Sequence, residues 1–278
     1  MALRLINFQS YNAFENMAID EAIFCETVRY KKSPTLRFYG WQPAAVSIGY
    51  FQNVNTEVNV TECRASGVDI VRRLTGGKAV FHCNDITYSV VACDQGKIFP
   101  TDILGTYKVI SECIAQGLAY LGIKTSMEET GRSVQNADFK SCCFSFLSRN
   151  ELLVAGRKKI CGSAQIRSQG GFLQHGSLLV AFDHSRTASL LLPPRTNEQL
   201  EILRDSVAAI NDEVGFPVDA QVICTNLIKG FASVLGMEIE KSTLTQAEEE
   251  VKNKLMQKYT NWCWNREGKK EHYIKGDK

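Results

Sequence analysis

A chain of 278 residues is long for one domain and short for two, so one large domain, or a domain with a helical appendage, is expected. Its 32 basic residues against 30 acidic ones leave a net charge of +2, which excludes a strong electrostatic pull toward nucleic acid or an anionic membrane. No apolar run approaches the roughly 18 residues of a membrane helix, and the opening MALRLINFQS lacks the basic-then-apolar order of a secretion signal. The ten cysteines are scattered through apolar segments without Cys/His metal spacing. Reduced thiols in a cytoplasmic protein, with no metal site, are therefore expected. A chain of this size buries roughly three-quarters of its unfolded surface and needs no staples.

In chain order, NAFENMAIDEAIFCETVRY (12–30) predicts a helix. Asn12 can cap it, Glu15 stands three residues on, and Phe14, Met17, Ala18, Ala22 and Cys25 recur at helical spacing. TLRFYGW and AAVSIGYFQ predict strands around a turn at Gly40–Pro43. VDIVRR (68–73) predicts a strand running into a glycine loop, and KAVFH with DITYSVVA continues the sheet. TDILGTYKVISECIAQGLAYLGI (101–123) predicts an amphipathic helix, and residues 128–142 have the polar, irregular composition of a loop. ELLVAGRKKICGSAQIR (151–167) predicts a β-hairpin turning near Ala155–Lys158, and GFLQHGSLLVAF (171–182) a further strand. Pro193-Pro194 is the best candidate boundary, after which three helical patterns follow. Strands first and helices last predict an α+β class: a core of about 5–195, a helical part of about 196–265 packed on it, and a frayed tail at 266–278.

Four segments carry candidate chemistry. In RRLTGGKAVFH (72–82), Gly76 and Gly77 allow close backbone approach, while Arg72 and Arg73 can donate to carbonyls or oxyanions. The stretch has neither P-loop nor dinucleotide spacing, so it is either a solvated turn or a ligand cradle. In SCCF (141–144) a cysteine in a polar loop is either an inert thiol or a nucleophile. In GRKKICGSAQ (156–165) a lysine leads into Gly162, Ser163 and Ala164, small residues that leave room for a pocket. An ammonium stabilises a thiolate, so a Cys/Lys dyad is a workable acyl-transfer nucleophile; a solvated hairpin turn is the alternative for these cations. His175 in LQHGS is either a satisfied core histidine or part of a site wall.

The combination is more specific than its parts. RR-x-T-GG-x-AVFH, followed about 80 residues later by KICGSAQ and then HGS, resembles the lipoate and biotin protein ligase superfamily. SIGYFQN (47–53), NMAIDEA (16–22) and RFYGW (37–41) fit its lipoate branch, and the resemblance spans roughly residues 5–265. The ligases of that branch read GGG-x-V-F-H-D-x-G-N, whereas here Lys78 replaces the third glycine, Cys83 the aspartate, and ND-ITYS the x-G-N element. The pattern is closer to the cysteine-dependent octanoyltransferases, which read RR-x-TGG-[RK]-AV-x-H…ITYSV with a Cys-Phe pair before the lysine hairpin. Cys143-Phe144 matches that pair.

The resemblance implies a mixed, largely antiparallel sheet flanked by helices in a single biotin/lipoate protein ligase-like catalytic domain. It implies transfer of octanoyl from octanoyl-acyl carrier protein, through a thioester on Cys143, to a lysine of a lipoyl domain such as glycine cleavage H protein or a 2-oxoacid dehydrogenase acyltransferase subunit. Lys159 would hold the thiolate; counting from the glycine side selects it, while counting from the cysteine selects Lys158. Arg72, Arg73, Thr75, Gly76, Gly77, His82, Gly162, Ser163, Ala164 and His175 would line the substrate site. No cofactor, metal, nucleic acid or membrane is implied, and a monomer is expected. The rival readings are an ATP-dependent lipoate ligase, an amidotransferase between lipoyl domains, and a non-catalytic scaffold that binds them.

Overall fold

The structure, a computed structural model, describes residues 2–93, 98–128, 149–191 and 196–268. Asn12 separates β1 (Leu3–Tyr11) from α1 (Ala13–Tyr30), and its side chain accepts from the Glu15 backbone N–H at 2.9 Å, the cap that the sequence predicts. Next come β2 (Thr35–Trp41), β3 (Ala45–Ile48), the short α2 (Val54–Glu57) and α3 (Val60–Ala65), β4 (Asp69–Arg72), β5 (Val80–His82) and β6 (Asp85–Cys93). After α4 (Ile103–Ala119) the chain forms β7 (Thr125–Met127), β8 (Leu152–Val154), β9 (Lys158–Lys159), β10 (Cys161–Ser168) and β11 (Gly171–Leu179). The remainder is α5 (His184–Leu190), α6 (Asn197–Ser206), α7 (Ile210–Val214), α8 (Ala220–Leu235), β12 (Ile239–Ser242), α9 (Gln246–Tyr259) and α10 (Trp262–Glu267).

The large sheet has the order β10-β11-β6-β2-β1-β12, antiparallel from β10 to β2 and parallel from β2 to β12. Side chains alternate along its strands, and that alternation divides the molecule. Leu36 and Phe38 of β2, Ile86, Tyr88 and Val90 of β6, and Phe172 and Leu178 of β11 join the main core against α4 and α8. Arg37 and Tyr39, Asp85, Thr87 and Ser89, and His175 and Ser177 take the opposite parity. The register sets Ser89 beside both Arg37 and His175, and Thr87 beside both Tyr39 and Ser177. A row of buried polar side chains therefore crosses the sheet under α1.

The main core closes at a glycine contact. On α8, Ile223, Leu227 and Phe231 recur every four residues, and on α4 Ile110, Ile114 and Leu118 do the same. Where the helices cross, a Cβ on Gly117 would stand 2.7 Å from Leu227 Cα, and one on Gly230 2.5 Å from Gly117 N, so only glycine permits this approach. The helices after residue 196 are thus part of the same packing. α9 covers α1, with Leu255 and Tyr259 in one cluster with Met17, Ala18 and Ala22.

Three readings of the sequence change. β12 is a short polar strand that takes its place by pairing in parallel with β1. Residues 151–167 do not form one hairpin: β9 pairs with β8, in a small sheet with β7, and after Ile160 the chain crosses to the large sheet as β10. The turn itself falls as expected, with Ala155 and Gly156 at positive φ. Finally, α10 runs to Glu267 with a left-handed cap at Gly268, inside the stretch expected to fray. Arg72 accounts for this, because its guanidinium donates to the carbonyls of Trp264, Asn265 and Arg266 at 2.9–3.2 Å.

Candidate active site

The second sheet, β4-β3-β5, lies beside the polar row and carries the glycine loop between β4 and β5. Arg73, at the end of β4, fixes this loop: its Nη2 donates to the carbonyls of Gly76 and Lys78 at 3.0 Å each. Its Nη1 donates to the Ser47 carbonyl and hydroxyl at 2.7 Å each. Gly77 takes φ 86°, and a Cβ there would meet Arg73 Nη2 at 3.3 Å and Ala164 Cβ at 3.5 Å. The loop thus presses its backbone toward β10.

A pocket opens between the loop, β10 and the polar row. Met17, Tyr39, Trp41 and Val80 supply apolar wall; Ser47, Thr87 and Ser177 supply hydroxyls. Of the residues expected to line a substrate site, Arg73, His82, Gly162, Ser163, Ala164 and His175 meet here. Thr75, Gly76 and Gly77 fall outside its lining, Thr75 buried and Gly77 exposed at the loop tip. Thr75 is fully buried and bonds His175 Nε2 at 2.7 Å, so the histidine ties the glycine loop to β11. Arg72 points away. Its donors go to carbonyls of α10 on one side and to those of Gly49, Tyr50 and Gln52 on the other. Burial lowers its pKa.

Two buried polar clusters organise the wall. In the first, Asp20 of α1 accepts from Arg37 Nη1 at 2.7 Å, Ser89 Oγ at 2.9 Å and Tyr39 Oη at 2.8 Å, and lies 3.4 Å from His175 Nδ1. Burial pushes the Asp20 carboxyl up, but Arg37, His175 and Tyr39 outweigh it, and its pKa falls below the ordinary value. Burial lowers the His175 pKa, against the pull of Asp20. In the second, His82 stands between Ser47 and Asp85, with Trp41 stacked on its ring at 4.0 Å. Sequence reading missed Asp20, Arg37, Ser47 and Asp85. For Asp20, Arg37 and Asp85 the signal was a charge inside an otherwise apolar period, as for Arg37 in TLRFYGW, since a buried charge is retained only with partners.

Lys159 lies outside the pocket lining. Its side chain is 1% exposed and its Nζ is 2.6 Å from Glu151 Oε1, whereas Lys158 is half-buried. Just before β8, the Glu128 N–H donates to Glu151 O at 2.9 Å and the Asn150 N–H to Glu128 O at 2.8 Å. These bonds hold the two ends of segment 129–148 together beside the lysine's partner. Cys142 and Cys143 fall in that segment, outside the described residues. Among the described residues no cluster of His, Cys, Asp or Glu is arranged to hold a metal ion, and no helix is long and apolar enough to cross a membrane.

The chain is 35% identical over 266 residues to "Octanoyltransferase LipM" of Clostridioides difficile (strain 630), covering 95% of this chain and 98% of that protein. It is 36% identical over 259 residues to the protein of the same name from Bacillus subtilis (strain 168), covering 90% and 92%. Among solved structures, a bi-partite lipoate protein ligase from Thermoplasma acidophilum superposes with a TM-score of 0.83 at 27% identity, covering 99% of this chain and 100% of that one. Residues 12–232 match the family described as lipoyl protein ligase A/B catalytic domain, and the chain belongs to that family.

Proposed function

We propose that the protein is an octanoyltransferase of lipoate biosynthesis that works through a Cys143 thioester, with octanoyl-acyl carrier protein as donor and a lipoyl-domain lysine as acceptor. The transferase assignment rests on near full-length similarity to proteins named octanoyltransferase. The thioester route rests on Lys159: an ammonium held in a buried ion pair beside the point where the cysteine segment leaves and returns. Cys143 is six residues from Arg149, a reach of roughly 20 Å when extended.

In this scheme the Cys143 thiolate, stabilised by the Lys159 ammonium, attacks the donor carbonyl, and the carrier sulfur leaves as the thiol with a proton from that ammonium. The acceptor amine then attacks the enzyme thioester, its proton returns to Lys159 as the amide forms, and the thiolate is restored. The pocket holds the acyl chain against Met17, Trp41 and Val80. The thioester already carries the activation, so no nucleotide enters the scheme. The acceptors implied by the resemblance are lipoyl-domain proteins such as glycine cleavage H protein and acyltransferase subunits of 2-oxoacid dehydrogenases, and the scheme needs one copy of the chain in a reducing cytoplasm. Lys78 and Cys83, which replace a glycine and an aspartate of the ligase pattern, favour this reading over an ATP-dependent ligase. The test is Cys143→Ala assayed with octanoyl carrier protein and a lipoyl domain without ATP. Loss of transfer by a folded variant supports the thioester route; substantial residual transfer rejects it.

A further inference from the structure

The second polar cluster has the connectivity of a nucleophilic centre. Ser47 Oγ lies 2.7 Å from His82 Nε2, and His82 Nδ1 lies 2.8 Å from Asp85 Oδ2. The same carboxylate oxygen accepts from Ser177 Oγ at 2.6 Å and Thr87 Oγ1 at 3.1 Å, and Thr87 in turn accepts from Trp41 Nε1 at 2.8 Å. His82 Nδ1 therefore donates to Asp85, which leaves Nε2 as an acceptor. Arg73 has only donors and gives one to Ser47 Oγ at 2.7 Å, so the serine's own proton is directed at His82 Nε2. The Trp41 ring, tilted only 16° from the imidazole, fixes its plane.

Hydroxyl, imidazole and carboxylate in this order, with the tautomer set by the carboxylate, is the arrangement that activates a serine. Ser47 and His82 belong to the pocket lining, both buried, and the Arg73 guanidinium at the hydroxyl offers positive charge to an oxyanion formed there.

We propose that Ser47, His82 and Asp85 form a nucleophilic triad that gives the chain an esterase activity toward aliphatic acyl esters and thioesters, distinct from transfer through Cys143. Ser47 Oγ bonds to the acyl carbon as its proton passes to His82 Nε2, and the departing alcohol or thiol takes that proton as its bond to the acyl carbon breaks. A water, giving its proton to His82, then hydrolyses the acyl-serine, and the serine regains its proton. The step consumes only water and the ester.

The test treats the intact wild-type chain with a fluorophosphonate, a reagent that phosphonylates activated serine hydroxyls, followed by trypsin. Ser47 is the single serine between Arg37 and Arg64, so the peptide spanning 38–64 reports on it alone. The expected result is an adduct on that peptide. In the Cys143→Ala background, hydrolysis of p-nitrophenyl octanoate should also fall by roughly 10²-fold or more when Ser47→Ala or His82→Gln is added, with thermal melts verifying that both fold. An unlabelled 38–64 peptide in the wild-type chain, or hydrolysis persisting in folded Ser47→Ala/Cys143→Ala, would overturn the proposal. The wild-type labelling does not depend on how any variant folds.

Discussion

Asp20→Asn removes one charge from the centre of the buried polar row and leaves its shape intact. The asparagine oxygen can keep the donors from Arg37 and Ser89, and the new amide can face the Tyr39 hydroxyl, which is free to turn and accept. What is lost is the countercharge of Arg37, a side chain 1% exposed. Removing one partner of a buried pair costs about 3–5 kcal/mol. Arg37 retains contacts to the Asn16 side chain at 2.6 Å and the Tyr39 ring face at 4.0 Å, which places the loss near the lower end, about 3 kcal/mol. That corresponds to a drop in Tm of roughly 6–12 °C. Urea unfolding at neutral pH measures it. Adding Arg37→Met should return part of the loss, because the uncompensated charge is then gone. A loss below about 1 kcal/mol, or additive effects in the double variant, would refute the view that Arg37 and Asp20 are coupled.

Three further predictions follow from the same geometry. Because burial lowers the His175 pKa, the folded chain favours neutral imidazole. Acid below about pH 6.5 then protonates the unfolded chain first, and stability falls by up to about 1.4 kcal/mol per pH unit until the folded pKa is reached. Unfolding at pH 7.5 and 5.5 should show a smaller difference in His175→Asn than in wild type; equal differences contradict the assignment. Gly230→Ala places a methyl against the Gly117 backbone and should cost about 1–3 kcal/mol, less up to about 1 kcal/mol of helix propensity. Chemical denaturation decides this. Arg72→Lys keeps the charge, but three donors cannot span carbonyls from both the Gly49–Gln52 loop and α10, so residues 262–268 should exchange amide hydrogen faster than in wild type.

Local signals in the sequence carried through wherever one element decides its own structure. The Asn12 cap, the strand TLRFYGW and the amphipathic helix after Thr101 depend on neighbours a few residues away. β12 was not legible, since IEKS has little strand character and gains it from β1 more than 230 residues earlier. The single hairpin was a fair reading of local pattern that failed because Ile160 is buried as the chain passes between sheets. In the site, the glycine loop, His82 and His175 stood out as polar residues in apolar runs. Their partners did not, because Asp20 meets His175 only through helix packing on a sheet whose register the sequence does not display. The RR pair shows the limit most clearly: adjacent identical residues on a strand end face opposite ways, Arg73 to the pocket and Arg72 to the carboxy-terminal helix.

The central claim is an acyl-enzyme on Cys143, and intact-mass spectrometry tests it most directly. The chain is mixed with octanoyl carrier protein without ATP, the mass is read before and after a lipoyl domain is added, and the adduct is mapped by peptide. The account predicts one octanoyl group on Cys143 that disappears as the lipoyl domain gains it. Transfer to the lipoyl domain with no adduct on Cys143, or an adduct there that the acceptor cannot discharge, would contradict it.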